Sequence, residues 1–138
     1  MTFEEISLSG LDEAIQQTSK GADNVTDETV REQLQQLKTN LGDMRLALVE
    51  LRHLEDEFKR GNIMSEMYLD RHKKLVRDYL AARDHIGDVV VPKLAEKAPL
   101  GDSRSKIAKF RDALKNNKEF LLNVSQLIIS VVQLFGKS

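Results

Sequence analysis

The chain has 138 residues, a formal net charge of −1, 41% hydrophobic residues and 31% charged residues. This composition is typical of a globular protein and argues against a disordered chain or one embedded in a membrane. The absence of cysteine excludes disulfides, thiolate zinc sites and cysteine nucleophiles, and it agrees with a reducing compartment. The first residues lack the basic and apolar segments of a signal peptide, so we expect a cytoplasmic protein.

Helical patterns cover nearly the whole chain, and no strand-like alternation competes with them. We therefore predict an all-α fold: an antiparallel helical bundle of about four helices with coiled-coil-like heptad packing. Residues 1–138 are predicted to form a single helical-bundle domain. The predicted helices cover about residues 2–20, 26–60, 65–97 with a kink near Pro92, and 103–135.

The first predicted helix begins with the capping-box pattern Thr2-x-x-Glu5. Gly21 is in the right place to be its C-terminal cap. Gly10 interrupts the middle of this helix, and Ser9 offers a second capping position there.

The second predicted helix carries the strongest periodic signal in the sequence. Thr26 is predicted to cap it, with Asp27 and Glu28 in the first turn. Basic residues recur every seven positions beside an apolar seam, and acidic residues recur every seven on the outer side. The seam is Val30, Leu34, Leu37, Leu41, Met44, Leu48, Leu51 and Phe58, the basic row is Arg31, Lys38, Arg45, Arg52 and Lys59, and the acidic row is Asp43, Glu50 and Glu57.

The third predicted helix has His72 at a seam position between Tyr68 and Leu75. A lone seam histidine is usually a core residue that is hydrogen-bonded to a neighbour, so we predict that His72 is buried. The alternative is a pH-sensitive packing element. Further along, Gly87 and Pro92 disturb the helical pattern, because proline lacks a backbone donor and disfavours helix at the residue before it. We expect a kink there, or a short second piece of helix.

The fourth predicted helix has one polar seam residue, Asn117, and no charged residue from Phe120 to Gly136. Its apolar arc is wider than the arc of about 100° that a surface helix buries. Either this helix is the central one of the bundle or its extra apolar rows form an interface, and we favour the interface. The candidate interface residues are Phe120, Leu122, Leu127, Ile129 and Leu134.

Charge is divided unevenly along the chain. Residues 1–57 hold 13 acids and 5 bases, a charge of −8, whereas residues 58–138 hold 9 acids and 16 bases, a charge of +7. Because the two charges nearly cancel, we expect acidic helices to pair with basic helices inside the molecule. A basic face offered to an anionic partner is the alternative.

No arrangement of residues predicts catalysis or a cofactor. Glu50-x-x-His53 has the spacing of a di-iron ligand pair, but such a site needs a second Glu-x-x-His and two further glutamates. The heptad register also puts Glu50 and His53 on the outer face of their helix. No Gly-rich phosphate loop, paired-carboxylate cleft or Ser/His/Asp arrangement can be assembled. We therefore predict a protein that is not an enzyme.

Nucleic-acid binding is a weaker hypothesis. Arg104, Arg111 and Lys118 recur every seven residues, and further bases cluster near Arg71. However, acidic residues dilute both stretches, and no aromatic residues interleave for base stacking. We interpret the basic stretches as solvated helix faces.

The segment from Leu54 to Leu75 resembles the short helical hairpin that is often found at protein C-termini. The resemblance consists of Leu54, Phe58, a glycine turn at Gly61, Ile63, Tyr68 and Leu75, and it covers 22 of the 138 residues. That family is associated with oligomerisation, although its hairpins lie at the end of the chain. The resemblance implies a helical hairpin at this position.

The leading functional hypothesis is a non-enzymatic interaction or oligomerisation module. It would bind itself as a homodimer, or a helix of a partner protein, through residues 120–135. The alternatives are a bundle that acts on membranes with its uncharged C-terminal helix and, less favoured, a weak nucleic-acid binder.

Overall fold

The computed structural model describes residues 6–136 and is all-α. No strand is present among these residues, and an isolated bridge joins Val25 to Gly136. A single π-helical turn covers Ile86–Val90. The α-helices are α1 (Leu8–Asn24), α2 (Glu28–Lys59), α3 (Ser65–His85), α4 (Val91–Lys97), α5 (Asp102–Ala108), α6 (Phe110–Ala113) and α7 (Phe120–Phe135).

Helix α1 begins and ends later than its sequence pattern predicts. The hydroxyl of Ser7 accepts the Gly10 N–H at 2.9 Å and caps the helix, whereas the predicted cap Thr2 lies outside the described residues. Gly21 is not a C-terminal cap, because it is buried inside α1 against Ile128 of α7. The helix end is held instead by Arg31, whose guanidinium donates to the carbonyl oxygens of Ala22 and Val25.

Helix α2 is capped by Asp27 and not by Thr26. The Asp27 carboxylate accepts the Val30 N–H at 3.0 Å, and this bond lowers the pKa of Asp27. The apolar seam is buried from Val30 to Leu51, and only its last member, Phe58, is exposed. Two arginines of the basic row contact α1 or a residue before it: Arg45 pairs with Asp12 at 2.6 Å, and Arg52 donates to the Ile6 carbonyl.

The main core lies between α1, the first part of α2, the π-helical turn, α4 and α7. Helix α7 packs closely on α1 because glycine replaces larger side chains at the contact. A Cβ atom on Gly21 would lie 3.2 Å from a methyl group of Ile128, and one on Gly10 would lie 2.5 Å from Leu121. Leu48 is the last residue of α2 that belongs to this core cluster.

The expected irregularity near Pro92 takes the form of the π-helical turn. The Val91 N–H donates to the carbonyl oxygen of Ile86, five residues back, and α4 follows directly. Gly87 lies in this turn, where a Cβ atom would be 2.6 Å from the carbonyl oxygen of Arg111. Asp88 accepts from Lys115 at 2.8 Å, and Lys115 lowers the pKa of Asp88. The turn and α6 are therefore joined by close packing and by charge.

The continuous fourth helix predicted over residues 103–135 is wrong. The structure has α5, α6 and α7 in its place, with turns between α6 and α7. Asparagine side chains stabilise the break between α6 and α7, because the Asn116 side chain accepts the Lys118 N–H and the Asn123 side chain donates to the Ala113 carbonyl. These bonds satisfy backbone groups that a continuous helix would pair internally.

The helices of the two halves pack on each other as expected, with α3 against α2 and α7 against α1, but few ion pairs join the acidic half to the basic half. Among ion pairs of the described residues, Lys97–Asp27 joins distant parts of the two halves. Arg60 and Asp56 also belong to different halves, but they are only four residues apart in the chain. The other pairs lie within one half, so most of the acidic charge of α2 is not neutralised by the basic half.

A matched pair of glycine substitutions tests the close contact at the π-helical turn. Gly87→Ala should destabilise the protein by about 1–3 kcal/mol, because its methyl group must displace the Arg111 backbone. Gly42→Ala should stabilise it by about 0.5–1 kcal/mol, because Gly42 is inside α2 with nothing within 4 Å of its Cβ position. Urea unfolding followed by circular dichroism measures both. Equal stabilisation by the two substitutions would contradict the contact.

Candidate interaction surface

The end of α2 and the start of α3 form a two-helix arm, residues 49–78, which lies outside the main core. Of its residues only Leu51 and Leu54 are buried, and neither belongs to the main core cluster, which resumes at Tyr79. Gly61, at φ 75°, makes the turn between the two helices. The arm therefore depends on α2 and α3 packing against each other.

Local contacts close the tip of the arm. The Asn62 N–H donates to the Glu57 carbonyl at 2.9 Å and the Gly61 N–H to the Phe58 carbonyl at 3.0 Å. These bonds satisfy carbonyl groups that the end of α2 leaves unpaired. Phe58 stacks on Tyr68 with ring centroids 4.2 Å apart, which joins the two helices beside the turn.

A groove runs between α2 and α3 along one face of the arm and onto the adjoining core. It consists of two depressions of about 450 and 610 Å³ that share Glu50 and Leu75, so they form one continuous surface, which we call the hairpin groove. Its large apolar side chains are Leu46, Leu54, Ile63, Met64, Met67 and Leu75, and its charged or titratable ones are Asp43, Glu50, His53, Glu57, Arg71 and Asp78.

Several apolar side chains of the hairpin groove project into solvent. Leu46 is 59% exposed, Met64 70% and Met67 45%. Single exposed apolar residues are common on protein surfaces, but a group of them around a concave surface makes that surface a candidate for binding. Methionine suits such a site because its flexible side chain adapts to different partners.

The acidic row predicted on the outer side of α2 lines this groove. Asp43, Glu50 and Glu57 make no ion pair with any residue between 6 and 136, although Glu57 accepts a hydrogen bond from the Asn62 side chain. Asp78 stands on the α3 side and pairs with Lys74 at 3.5 Å. Glu50 and His53, the pair with metal-ligand spacing, both line the groove and are exposed. Over residues 6–136, no group of three or more metal-ligating side chains comes together.

The predicted burial of His72 is wrong. His72 is half-buried on the arm, where its ring centroid lies 5.5 Å from that of Tyr68. The arm has only two helices, so no third helix covers this position. A different histidine, His85, contacts a buried residue. The side-chain amide of the buried Asn40 lies 2.8 Å from Nδ1 of His85. Since Asn40 accepts from Gln36 through its oxygen, its nitrogen donates to Nδ1 of His85.

A buried polar contact joins α3 to the turn before α7. Arg83 is only 8% exposed, and it donates to the Asn117 side chain at 2.9 Å and to Asp84 at 3.1 Å. One helical turn earlier, burial raises the pKa of Tyr79 to about 12. The sequence signal for this contact is Asn117, the lone polar residue of its seam, but nothing in the pattern identifies Arg83 as its partner.

The five candidate interface residues of α7 do not share one surface. Phe120 and Leu127 are fully buried in the main core, so their assignment to an interface is wrong. The face of α7 that carries Phe120 and Leu127 points into the core. The other helices therefore bury more of the surface of α7 than we expected for a four-helix bundle. Leu122 and Ile129 are exposed, and Leu134 is 38% exposed. These three remain candidate interface residues.

Comparisons with known protein families, with curated proteins and with solved structures find no match to this chain. In the stretch from residue 6 to residue 136, no helix has both the length and the apolar character required to cross a membrane.

Two aspartate substitutions on α7 separate core from surface. Leu127→Asp should cost at least about 3 kcal/mol of stability, because it puts a charge in a fully buried position. Ile129→Asp should cost no more than about 1 kcal/mol, because Ile129 is 48% exposed. Thermal unfolding of both variants measures the difference. A tolerated Leu127→Asp would show that Leu127 is not in the core.

Proposed function

We propose that this chain is a non-enzymatic protein-interaction module that docks a helix of a partner protein in the hairpin groove. The observation that carries the proposal is the group of exposed apolar side chains, Leu46, Met64 and Met67, around a concave surface. Helices commonly dock in apolar grooves of this kind through residues spaced one turn apart.

In this proposal the main core is a scaffold, an antiparallel helical bundle with heptad packing along α2. The buried seam from Val30 to Leu51 supports that packing. The scaffold holds the root of the arm in place through Tyr79 and Ala82, which belong to the core cluster. A rigid root fixes the direction of the arm and keeps both sides of the groove together.

Contacts within the protein argue against the two alternative functions. Arg104 donates to the carbonyl oxygens of Glu96 and Ala98, and Lys115 pairs with Asp88, so part of the basic charge already has partners. A membrane-acting C-terminal helix would have to leave the core. Its end is held by the Thr26 N–H, which donates to the Phe135 carbonyl at 3.4 Å.

Self-association is a second candidate, favoured by the exposed residues of α7. Leu122 and Ile129 are seven residues apart and therefore lie on one face of this uncharged helix. Two copies could bury this face against each other as a homodimer. The face is narrow because Gln126 and Gln133 lie on it as well, so we rank it behind the hairpin groove.

Site-specific photo-crosslinking in the cells that make the protein tests both candidates. A benzophenone amino acid replaces Met67 in the groove, Ile129 on α7, or Leu100, which is an exposed control position away from both. We expect a discrete adduct with another protein from position 67 and none from position 100. Leu46→Gln with Met64→Gln should remove most of that adduct, because both side chains line the same groove.

Other crosslinking results would overturn the proposal. An adduct of twice the chain's mass from position 129, with none from position 67, would assign the function to self-association through α7. Equal adducts from positions 67 and 100 would mean that the groove has no special affinity. A circular dichroism spectrum of each variant confirms that the substituted protein is folded.

A further inference from the structure

We propose that the occupant of the hairpin groove is an amphipathic helix of a partner protein that carries lysine or arginine on both sides of an apolar stripe. This inference rests on the proposed docking function and adds the chemistry of the partner. It is carried by the position, charge and pairing of the acidic side chains that line the groove.

The dimensions of the groove fit a short helix. Asp43 and Glu57 mark the ends of the acidic row on α2, and they are 14 residues apart. At a rise of 1.5 Å per residue, the row is about 21 Å long, which equals about four turns of a docked helix. Three carboxylates at intervals of seven residues repeat about every 10 Å, so a helix with a basic residue every second turn matches their spacing.

Charge in the groove is predominantly negative. Asp43, Glu50 and Glu57 line its α2 side and Asp78 its α3 side, whereas Arg71 and His53 are the basic or titratable groups that face it. Asp43 and Glu50 have neither an ion pair nor a side-chain hydrogen bond with another residue of the described chain. Their charge is therefore available to a partner. Carboxylates at the rim of an interface select a basic partner and accelerate its association.

The apolar part of the groove supplies the contact area. Leu54 forms its buried floor and Leu75 is half-buried, while Leu46 and Met67 stand more exposed at its sides. An apolar stripe on the incoming helix covers these side chains and removes them from water. An apolar centre with a polar rim is the usual arrangement of a protein interface, and in this groove the rim is mainly acidic.

A second copy of this chain fits the groove less well. Helix α7 is uncharged, and the basic segments α5 and α6 have only 7 and 4 residues, too short to fill four turns. Arg104 and Arg111 in these segments already contact other parts of the protein. The complementary helix is therefore expected on a different protein.

The test uses three synthetic helical peptides of 18 residues and the whole chain of 138 residues. The first has a leucine stripe flanked by lysines, the second has glutamate in place of every lysine, and the third is a scrambled version of the first. Fluorescence anisotropy of labelled peptides measures binding at low and at physiological salt. We expect the lysine peptide to bind at least tenfold more tightly than the glutamate and scrambled peptides, with affinity that falls as salt increases.

Matched variants locate the binding site. Asp43→Asn, Glu50→Gln and Glu57→Gln together should weaken binding of the lysine peptide roughly tenfold, because three surface charge pairs are lost. Asp23→Asn, Glu32→Gln and Glu96→Gln change the net charge equally at exposed positions away from the groove, and they should leave affinity within about twofold. Leu46→Gln with Met67→Gln should also weaken binding, whereas Leu69→Gln, an exposed leucine outside the groove, should not.

Each other outcome overturns the inference in a recognisable way. If the glutamate peptide binds as tightly as the lysine peptide and both depend on Leu46, docking stands but the basic partner is wrong. If no peptide binds while crosslinking at position 67 still gives an adduct, the partner is not such a helix. If both acidic triple variants weaken binding equally, only the net charge matters. If the free protein self-associates through Asp43, Glu50 and Glu57, the groove belongs to a second copy.

Discussion

The length of α2 is the constraint on which the rest of the structure depends. Its 32 residues make a helix of about 48 Å, but the main core covers it only as far as Leu48. Another 11 residues, about 17 Å, extend beyond the core to Lys59. This segment still has apolar side chains at the helical period, and α3 packs against it. The arm follows from a helix that is longer than its core.

Two helices can cover only part of each other, and this incomplete coverage produces the hairpin groove. In the core, α2 has α1 on one side and α3, the π-helical turn and α4 on others, so its seam is fully buried. On the arm, one face of both helices remains open, and Met64 and Met67 are exposed there. Arg31, Arg45 and Arg52 of the basic row hold α1 and its flanking residues, while the acidic row lines the groove. The acidic side chains and the exposed apolar side chains therefore line the same open face, the hairpin groove.

The sequence predicts the regular parts of this fold well and the irregular parts poorly. Heptad periodicity identifies the α2 seam because burial and helical period coincide there. It fails at His72 because a seam position does not say whether another helix is present to cover it. It fails at Asn117, which is buried, because the nearby Asn116 and Asn123 side chains bond to backbone groups and the helix is interrupted there. The wide apolar arc of α7 is recognised, but two of its rows are buried: Leu127 lies in the main core, and Ile128 lies against Gly21 of α1. The groove needs α3 beside α2, and no single helix pattern contains that information.

Native-state hydrogen exchange measured by NMR tests most directly whether the arm is separate from the core. The amides of α2 between Val30 and Leu48 should exchange only through global unfolding, because they lie in the main core. The amides of residues 51–59 and 66–75 should exchange through local opening at a free energy at least about 2 kcal/mol lower. Equal protection along the whole of α2 would contradict the account, because the arm would then belong to the same cooperative unit as the core.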